Sequence, residues 1–251
     1  MNKAFYTGAS GLRAYQHNLD IVGHNITNSS TAGYKASVAE FRELIYTNMD
    51  ANKNREVNEN EKVKEGHGVK LQNDDLIFTQ GNFQSTEYPL DFCIAGDGFF
   101  AVSNDDGSTE YTRNGCFDVS IEADGAYLVD SAGRYVLDSN YEKIKLEYKD
   151  NSQNVIDTAL VKYRLGIFSF DNPNGLTRAD GGSFRQSENS GDPAVAEPGS
   201  YKLYEGTLEA SNVSLATEMA NLIVAQKAYS FSARVVTTAD EIEQTANSLR
   251  K

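Results

Sequence analysis

The sequence predicts an α+β protein in which helices from the two ends of the chain pair as a coiled-coil-like module, with an antiparallel β-rich domain inserted between them. Two observations predict this architecture. Apolar residues recur seven apart near both ends of the 251-residue chain, and short runs rich in Val, Ile, Phe and Tyr, separated by turns that contain Gly, fill the middle. A seven-residue repeat keeps one seam of a helix against a partner helix. Short β-branched and aromatic runs between turns are typical of strands.

These patterns divide the chain into four segments. We expect an N-terminal helical segment at 1–46, a polar linker at 47–67, a β-rich domain with a long return loop at 68–200, and a C-terminal helical segment at 201–251. The order helix, β domain, helix makes the middle of the chain an insertion between the two halves of one helical module.

The N-terminal helix has an apolar seam that is interrupted by glycine. The seam residues are Phe5, Leu12, Tyr15, Leu19, Val22 and Ile26. Gly8, Gly11 and Gly23 lie in the same helix, and each costs roughly 1 kcal/mol of helix stability relative to alanine. Isolated helices of this length are already marginal. We therefore expect the segment to become ordered only when a partner packs on it, and the small residues permit that partner to approach closely.

A turn motif formed by Asn25, Asn28 and Gly33 follows the helical pattern. Asn side chains compete for backbone hydrogen bonds, and glycine supplies the backbone conformations that turns need. Residues 34–46 then form a short second helix or an extended arm, and the pattern leaves both alternatives open. Residues 47–67 are almost wholly polar, as linkers and exposed loops are.

The middle of the chain has the pattern of an antiparallel sandwich or small barrel. Asp-Gly pairs that begin at Asp97, Asp106 and Asp124 favour tight hairpins, because both residues tolerate positive φ. Residues 171–200 carry three of the four prolines and are predicted to be a long return loop.

Cysteine and histidine give no metal or cofactor site in this sequence. Cys93 and Cys116 are the only cysteines, and both lie in strand-like runs, so we expect two buried small apolar residues, with a disulfide between them left open. Zinc held by two cysteines would need histidines nearby. His17, His24 and His67 are dispersed, and solvated side chains are the expectation for them.

The C-terminal segment repeats the seven-residue pattern. Its seam residues are Leu208, Leu215, Met219, Leu222, Tyr229 and Val236. Such a stripe is either the buried face of an ordinary amphipathic helix or a seam shared with another helix. The simplest partner for either terminus is the other terminus, in the same subunit or in a neighbouring one. That arrangement suits a polymer subunit better than an enzyme.

Composition and missing motifs exclude several classes of function. The formal net charge is −13, which would repel a nucleic-acid backbone. No apolar stretch reaches the length of a membrane span, and the first residues lack the continuous apolar core of a general secretory signal. A nucleophile elbow, a phosphate loop and a dinucleotide fingerprint are all absent from the sequence.

Four segments in order resemble the bacterial flagellar rod and hook axial protein family. They are ASGLRAYQHNLDIVGHNITNSSTAGYK at 9–35, GVKLQNDDLIFTQGNFQSTEYPLDFCIAGDGFFAV with the following EYTRNGCFDV, NPNGLTRADGGSFRQSENSGD at 172–192, and LEASNVSLATEMANLIVAQKAYSFSARVVTTADEI in the tail. The resemblance covers nearly the whole chain. Within the family, the tail around Gln226–Tyr229 is most similar to distal rod members.

The resemblance implies a non-enzymatic subunit without a cofactor. It implies export through the flagellar type III apparatus and a place in the basal body, where the rod crosses the cell envelope. It also implies assembly with copies of itself and with other rod and hook subunits, the terminal helices lying innermost around the export channel.

Three alternatives remain beside a distal-rod-like subunit. One is another rod or hook-type axial subunit. A second is a secreted carbohydrate-binding or wall-lytic β domain, which would need two carboxylates in one cleft if it were lytic. A third is a closed soluble oligomer whose termini form a finite helical bundle.

Overall fold

A computed structural model of the chain describes residues 3–49, 63–104, 106–147, 160–197 and 199–249. The chain divides into two compact units. The helical unit comprises the described residues within 1–27, 37–75 and 214–251, and the β unit comprises those within 28–36 and 76–213. Both ends of the chain therefore belong to one unit, and the α+β class predicted from the sequence is confirmed.

The helices and strands are numbered in chain order. The α-helices are α1 (Lys3–Thr27), α2 (Val161–Arg164) and α3 (Leu215–Ser248), with short 3-10 turns at Pro173–Gly175 and Asp180–Gly182. The strands are β1 (Ser37–Glu43), β2 (Tyr46–Met49), β3 (Val63–Gly66), β4 (Val69–Leu76), β5 (Phe83–Ser85), β6 (Phe92–Gly96), β7 (Phe99–Ser103), β8 (Thr109–Thr112), β9 (Phe117–Glu122), β10 (Gly125–Asp130), β11 (Tyr135–Val136), β12 (Lys145–Leu146), β13 (Ile167–Ser169), β14 (Thr177–Arg178), β15 (Ser183–Arg185), β16 (Ala194–Val195), β17 (Tyr201–Glu205) and β18 (Thr207–Glu209).

In the helical unit, α1 and α3 pack against each other with β1 pairing with β4 and β2 with β3. The two helices run antiparallel, because Gly8 near the start of α1 meets Val236 late in α3, while Asn25 near the end of α1 meets Glu218 early in α3. α3 begins after Ser214, whose carbonyl accepts the Glu218 amide as the first helical hydrogen bond.

The segment after α1 is extended. Of the two alternatives for 34–46, the short helix is wrong. Ser37–Glu43 forms β1, which pairs with β4. The expected polar linker, 47–67, lies partly outside the described residues. At its two ends, Tyr46–Met49 pairs antiparallel with Val63–Gly66.

The β unit is antiparallel, as predicted, and most of its strands belong to one large sheet. Among its described residues the strand order is β12-β10-β11-β7-β8-β15-β14, with β9 on β10 and β13 joining β7 to β16. Two further antiparallel pairs, β17 with β6 and β18 with β5, complete the unit. The segment 171–200, expected as a return loop, contributes β14, β15 and β16 to the large sheet.

Two of the three Asp-Gly pairs close hairpins. Gly107 lies between the paired strands β7 and β8, and Gly125 is the first residue of β10 after the turn from β9, both with positive φ. Gly98 also has a positive φ, at +147°, but β6 and β7 on either side of it take different partners. The Asp-Gly signal therefore marks the turn at Asp97 without specifying a hairpin there.

Buried apolar side chains of the β unit form two cores. One is centred on Phe92, Phe100 and Phe117, and the other on Phe99, Phe168 and Phe184. Both contain edge-to-face ring pairs, for example Phe100 with Phe117 at 5.1 Å between centroids, and such pairs add about 0.5–1.5 kcal/mol beyond the area that they bury. The β unit therefore has a hydrophobic core of its own.

Glu110 of β8 is the centre of a buried polar network in the same sheet. Its carboxylate accepts hydrogen bonds from Asn104 at 2.8 Å and from Ser183, and it pairs with Arg134 at 2.8 Å and Arg185 at 2.6 Å. Burial alone would raise the pKa of Glu110. The hydrogen bonds from Ser183, Arg185 and Asn104, with the charge of Arg134, outweigh it, so the pKa lies below its ordinary value.

Because the pKa of Glu110 is lowered by folding, we expect its contribution to stability to be present above the ordinary carboxyl pKa and to be lost as the pH falls through the folded-state value. Glu110→Gln should therefore lower the free energy of unfolding at neutral pH and lower it less at about pH 4, below the ordinary carboxyl pKa. Urea titrations at the two pH values measure this difference. Glu205→Gln, which neutralises an exposed carboxylate in β17, is the control. Equal losses for Glu110→Gln at both pH values would contradict the prediction.

Candidate assembly surface

The helices α1 and α3 approach closely where small residues face each other. A methyl group placed on Gly8 would lie 2.9 Å from Val236 Cγ2 and 3.3 Å from Val235 Cγ1, and one placed on Gly11 would lie 3.0 Å from Ser232 Oγ. Glycine is favoured here by close contact across the helix pair, since its α-helical backbone suits any residue. The contact also supplies the tertiary packing that a glycine-containing helix needs.

A line of small residues spaced seven apart provides the α3 side of this surface. Ala225 and Ala239 are buried, and Ser232 between them is half-buried. On α1, Gly8, Gly11 and Ala14 are buried. The sequence analysis did not predict these α3 residues, because it considered only the large apolar ones. Their seven-residue spacing could have indicated a contact with another helix.

Asn25 ties the other end of the helix pair to β1. Its side-chain amide donates to the Ser37 carbonyl at 2.8 Å and to Glu218 Oε2 at 3.2 Å, and its carbonyl oxygen accepts the Ser37 amide at 3.0 Å. Asn25 was predicted as a turn residue, but it lies within α1 and is buried. It therefore joins α1, α3 and β1 at one point of the helical unit.

The α1 seam residues have graded exposure. Val22 is buried, Phe5 is exposed, and the rest are half-buried, namely Leu12, Tyr15, Leu19 and Ile26. The Tyr15 ring packs against Phe41 of β1, with 5.5 Å between centroids. The α1 seam is thus divided between α3, β1 and solvent-facing positions.

The α3 seam residues are mostly exposed. Val236 is half-buried against α1, whereas Leu215, Met219, Leu222 and Tyr229 remain exposed. The prediction that Leu208 belongs to the helical seam is wrong. Leu208 lies in β18, where Thr207–Glu209 pairs with Phe83–Ser85, and α3 begins only at Leu215. The seven-residue spacing of apolar residues therefore continues one repeat before the first residue of α3.

Further large apolar residues of α3 are exposed outside the predicted seam. Val224 is 68% exposed, Phe231 61% and Ile242 67%, and Ile223 and Val235 are exposed as well. Helices that are apolar around most of their circumference are normally enclosed on more than one side. α1 covers only the side of α3 that carries the small residues. The exposed apolar residues of α3, taken together, are called here the α3 apolar surface.

An open groove lies between α1 and the strands of the helical unit. Its lining includes Arg13, Ala14 and His17 from α1, Leu44 after β1, and Lys70 and Leu71 from β4. The walls are apolar and the rim carries cationic nitrogen groups, in a chain whose formal net charge is −13. It is called here the basic groove.

The turn motif residues Asn28 and Gly33 belong to the β unit. The Asn28 carbonyl accepts the Thr31 amide at 3.1 Å, and the Gly33 amide donates to the Glu209 carbonyl at 2.7 Å. Gly33 has φ +68°, and a Cβ at this position would lie 2.4 Å from the Asn114 nitrogen. Both the backbone conformation and the close approach require glycine.

We expect Gly33→Ala to lower the free energy of unfolding of the β unit by about 2 to 4 kcal/mol, the sum of left-handed strain and a backbone clash. Gly133→Ala is the matched control, because Gly133 has φ +83° with no atom within 4 Å of the added Cβ. The control measures only the cost of placing alanine in a left-handed backbone conformation, about 1 kcal/mol. Equal losses for both variants in urea unfolding would show that the contact with Asn114 carries no cost.

A buried ion pair holds together the two segments of the β unit that lead into the helices. Lys35 Nζ lies 2.6 Å from Glu209 Oε1, both side chains are almost fully buried, and Arg113 Nη1 lies 3.7 Å from Glu209 Oε2. Burial lowers the pKa of Lys35 and Glu209 partly opposes this effect. Burial likewise raises the pKa of the neighbouring Cys93 to about 12. Cys93 and Cys116 are not bonded to each other.

Within the described parts of the chain, no group of His, Cys, Asp and Glu side chains is arranged to hold a metal ion. None of the described helices has the length and apolar character that crossing a membrane requires.

Three family models match successive parts of the chain. "Flagella basal body rod protein" matches residues 5–35, "Flagellar hook protein FlgE/F/G D1 domain" matches 93–162, and "Flagellar basal body rod FlgEFG protein C-terminal" matches 204–249. The first covers most of α1 and the turn motif, and the last covers α3. The two helices and the β unit thus each carry part of the match.

Whole-length relatives agree with these models. The chain is 36% identical to "Flagellar basal-body rod protein FlgG" of Borreliella burgdorferi, with all of both chains covered. It is 35% identical to the protein of the same name in Agrobacterium fabrum, over 96% of each chain, and 31% identical to that of Bacillus subtilis, over all of both.

Proposed function

The chain belongs to the flagellar basal-body rod protein family, and from this premise we propose that it polymerises through its two terminal helices. It is a structural subunit of the flagellar basal-body rod, located in the basal body, and is most like the distal rod subunit. It is not an enzyme, which removes the wall-lytic alternative.

The α3 apolar surface is the observation that supports this proposal. Leu215, Met219, Leu222 and Tyr229 recur along α3 and stay exposed after α1 has packed. A contiguous apolar surface on a soluble chain marks a site of protein contact. Each such side chain contributes about 1.5 to 3 kcal/mol when a neighbour buries it. A few of them per subunit suffice for a stable assembly.

The surface favours an open polymer over a closed ring. Other exposed apolar residues of the helical unit lie on α1 and β1, including Phe5, Tyr6 and Val38. A neighbour that meets the α3 apolar surface with these residues makes a heterologous contact, and such contacts propagate as filaments when their rotation does not close. In this arrangement the helices line the export channel and the polymer is the drive shaft.

Other partners follow from the same proposal. Rod and hook subunits of this family would continue the polymer above and below the chain, through equivalent helices. The subunit would reach its place across the cell envelope by the flagellar type III export apparatus. Neither step requires a cofactor, and the net charge of −13 argues against contact with nucleic acid.

Electron microscopy of concentrated purified protein tests the proposal directly. We expect tubular polymers with a central channel. Closed particles of fixed size would instead support a finite helical bundle. Expression of the chain in a motile bacterium that lacks its own distal rod subunit is the second test, with swimming as the readout, and failure of both assays would overturn the proposal.

A further inference from the structure

We propose that the basic groove receives residues 240–243 of α3 from a second copy of the chain. This inference rests on the proposed function, because it names one of the contacts through which copies polymerise. It involves the basic groove of one copy and, on the other copy, the C-terminal end of the α3 apolar surface at Ile242.

The groove offers unpaired positive charge beside apolar walls. Arg13 and Lys70 form no ion pair or hydrogen bond with any described residue, and His17 adds a third nitrogen group. Ala14, Leu44 and Leu71 supply the apolar walls. A ligand that matches this lining combines negative charge with an apolar side chain.

Residues 240–243 of α3 have this composition. Glu241 and Glu243 flank Ile242 along α3, and all three are exposed. Glu241 and Glu243 have no ion-pair partner among the described residues. Ile242 is 67% exposed, so it is available to enter an apolar groove.

The chain's own segment is too far away to occupy its own groove. Gly8 lies beside Val236 and Asn25 beside Glu218, so Arg13 and His17 are level with positions close to 231 and 227 of α3. Residue 241 lies about 12 residues further along α3 than the midpoint of these positions, which is about 18 Å at 1.5 Å per residue. Side-chain contact across this distance is excluded while both helices are straight, and the occupant must come from another copy.

Charge reversal of each side tests the contact. The groove variant carries Arg13→Glu and Lys70→Glu, and the segment variant carries Glu241→Lys and Glu243→Lys. Each variant alone places like charges at every contact, and we expect the concentration needed for polymerisation to rise about tenfold or more. An equal mixture of the two restores opposite charges at every contact when the two variants alternate along the polymer, and it should polymerise within about twofold of the wild type.

Controls separate this contact from general effects of charge. Lys202→Glu with Lys162→Glu makes the same change in net charge on the β unit and should polymerise like the wild type. Circular dichroism of every variant checks that the helices remain folded. Sedimentation and electron microscopy give the polymer yield.

Each outcome decides between the two proposals. If the wild type forms no polymer, the proposed function fails, and this contact fails with it. If the wild type polymerises and either variant does so equally well, only the groove contact is overturned. Failure of the mixture to polymerise also overturns the groove contact. If polymerisation is restored only when all four substitutions are in one chain, the contact lies within a subunit, and the proposal is overturned as well. Normal polymerisation with loss of swimming would assign the groove to an anionic partner of another kind.

Discussion

Leu222→Arg should abolish polymerisation while the β unit stays folded. Leu222 lies in the middle of the α3 apolar surface and remains exposed in the single chain. In a polymer the arginine would lose the burial of the leucine, worth about 1.5 to 3 kcal/mol, and would place an unpaired charge in an apolar contact. A loss of about 3 kcal/mol per contact raises the concentration needed for assembly on the order of a hundredfold.

Ile121→Arg is the matched control for this variant. Ile121 is an aliphatic residue of β9 in the β unit and is 72% exposed. The substitution adds the same side chain and charge without touching the α3 apolar surface. We expect this control to assemble normally, and sedimentation together with electron microscopy compares the two. Equal polymer yields from Leu222→Arg and Ile121→Arg would count against assembly through this surface.

The helix pair illustrates what the sequence could reveal and what it could not. Large apolar residues at seven-residue spacing correctly predicted the two terminal helices. The residues that meet within the chain are small ones such as Gly11 and Ser232. The free energy of burial scales with apolar area, so a sequence pattern is easiest to recognise in large apolar residues. Two helices that pack closely instead need small residues at their contact. Ser232 can lie there because its hydroxyl donates to the Ala228 carbonyl of its own helix.

The segments that flank the helices were less predictable because their partners are distant in sequence. Leu208 fits the heptad spacing, yet β18 pairs with β5 and the adjacent Glu209 is held by Lys35. Residues 37–43 are extended because β4 supplies a strand partner. Local pattern cannot distinguish a helix from a strand when the deciding hydrogen bonds come from elsewhere in the chain.

Glu209→Gln should destabilise the β unit by about 3 to 5 kcal/mol, the cost of leaving buried cations without their anion. Lys35 donates to Glu209 at 2.6 Å and to the Thr79 carbonyl at 2.9 Å, and the same carboxylate accepts the Gly81 amide at 2.9 Å. The substitution removes the only carboxylate that lies within ion-pair distance of both Lys35 and Arg113 among the described residues. Urea unfolding followed by near-ultraviolet circular dichroism of the tyrosines measures the loss.

Two further variants identify the cause of that loss. Asp124→Asn breaks an exposed pair with Lys145, whose charged atoms are 4.0 Å apart, and should change the free energy of unfolding little because solvent screens the pair. Lys35→Met combined with Glu209→Gln should cost less than the sum of the two single substitutions, since the lysine charge is removed together with its partner. Additive losses would contradict a coupled buried pair.

Substitutions in the buried ion pair and in the α3 apolar surface should have different effects in a cell. Lys35 follows α1 and Glu209 precedes α3, so weakening their contact loosens both connections to the helices within the β unit. We expect Glu209→Gln to reduce swimming by lowering the amount of folded subunit, since a loss of this size unfolds marginally stable domains. Leu222→Arg should leave that amount unchanged and still prevent swimming, because its defect lies in assembly. Immunoblots of subunit level beside swimming assays distinguish the two, and depletion of the Leu222→Arg subunit would mean that Leu222 stabilises the monomer instead.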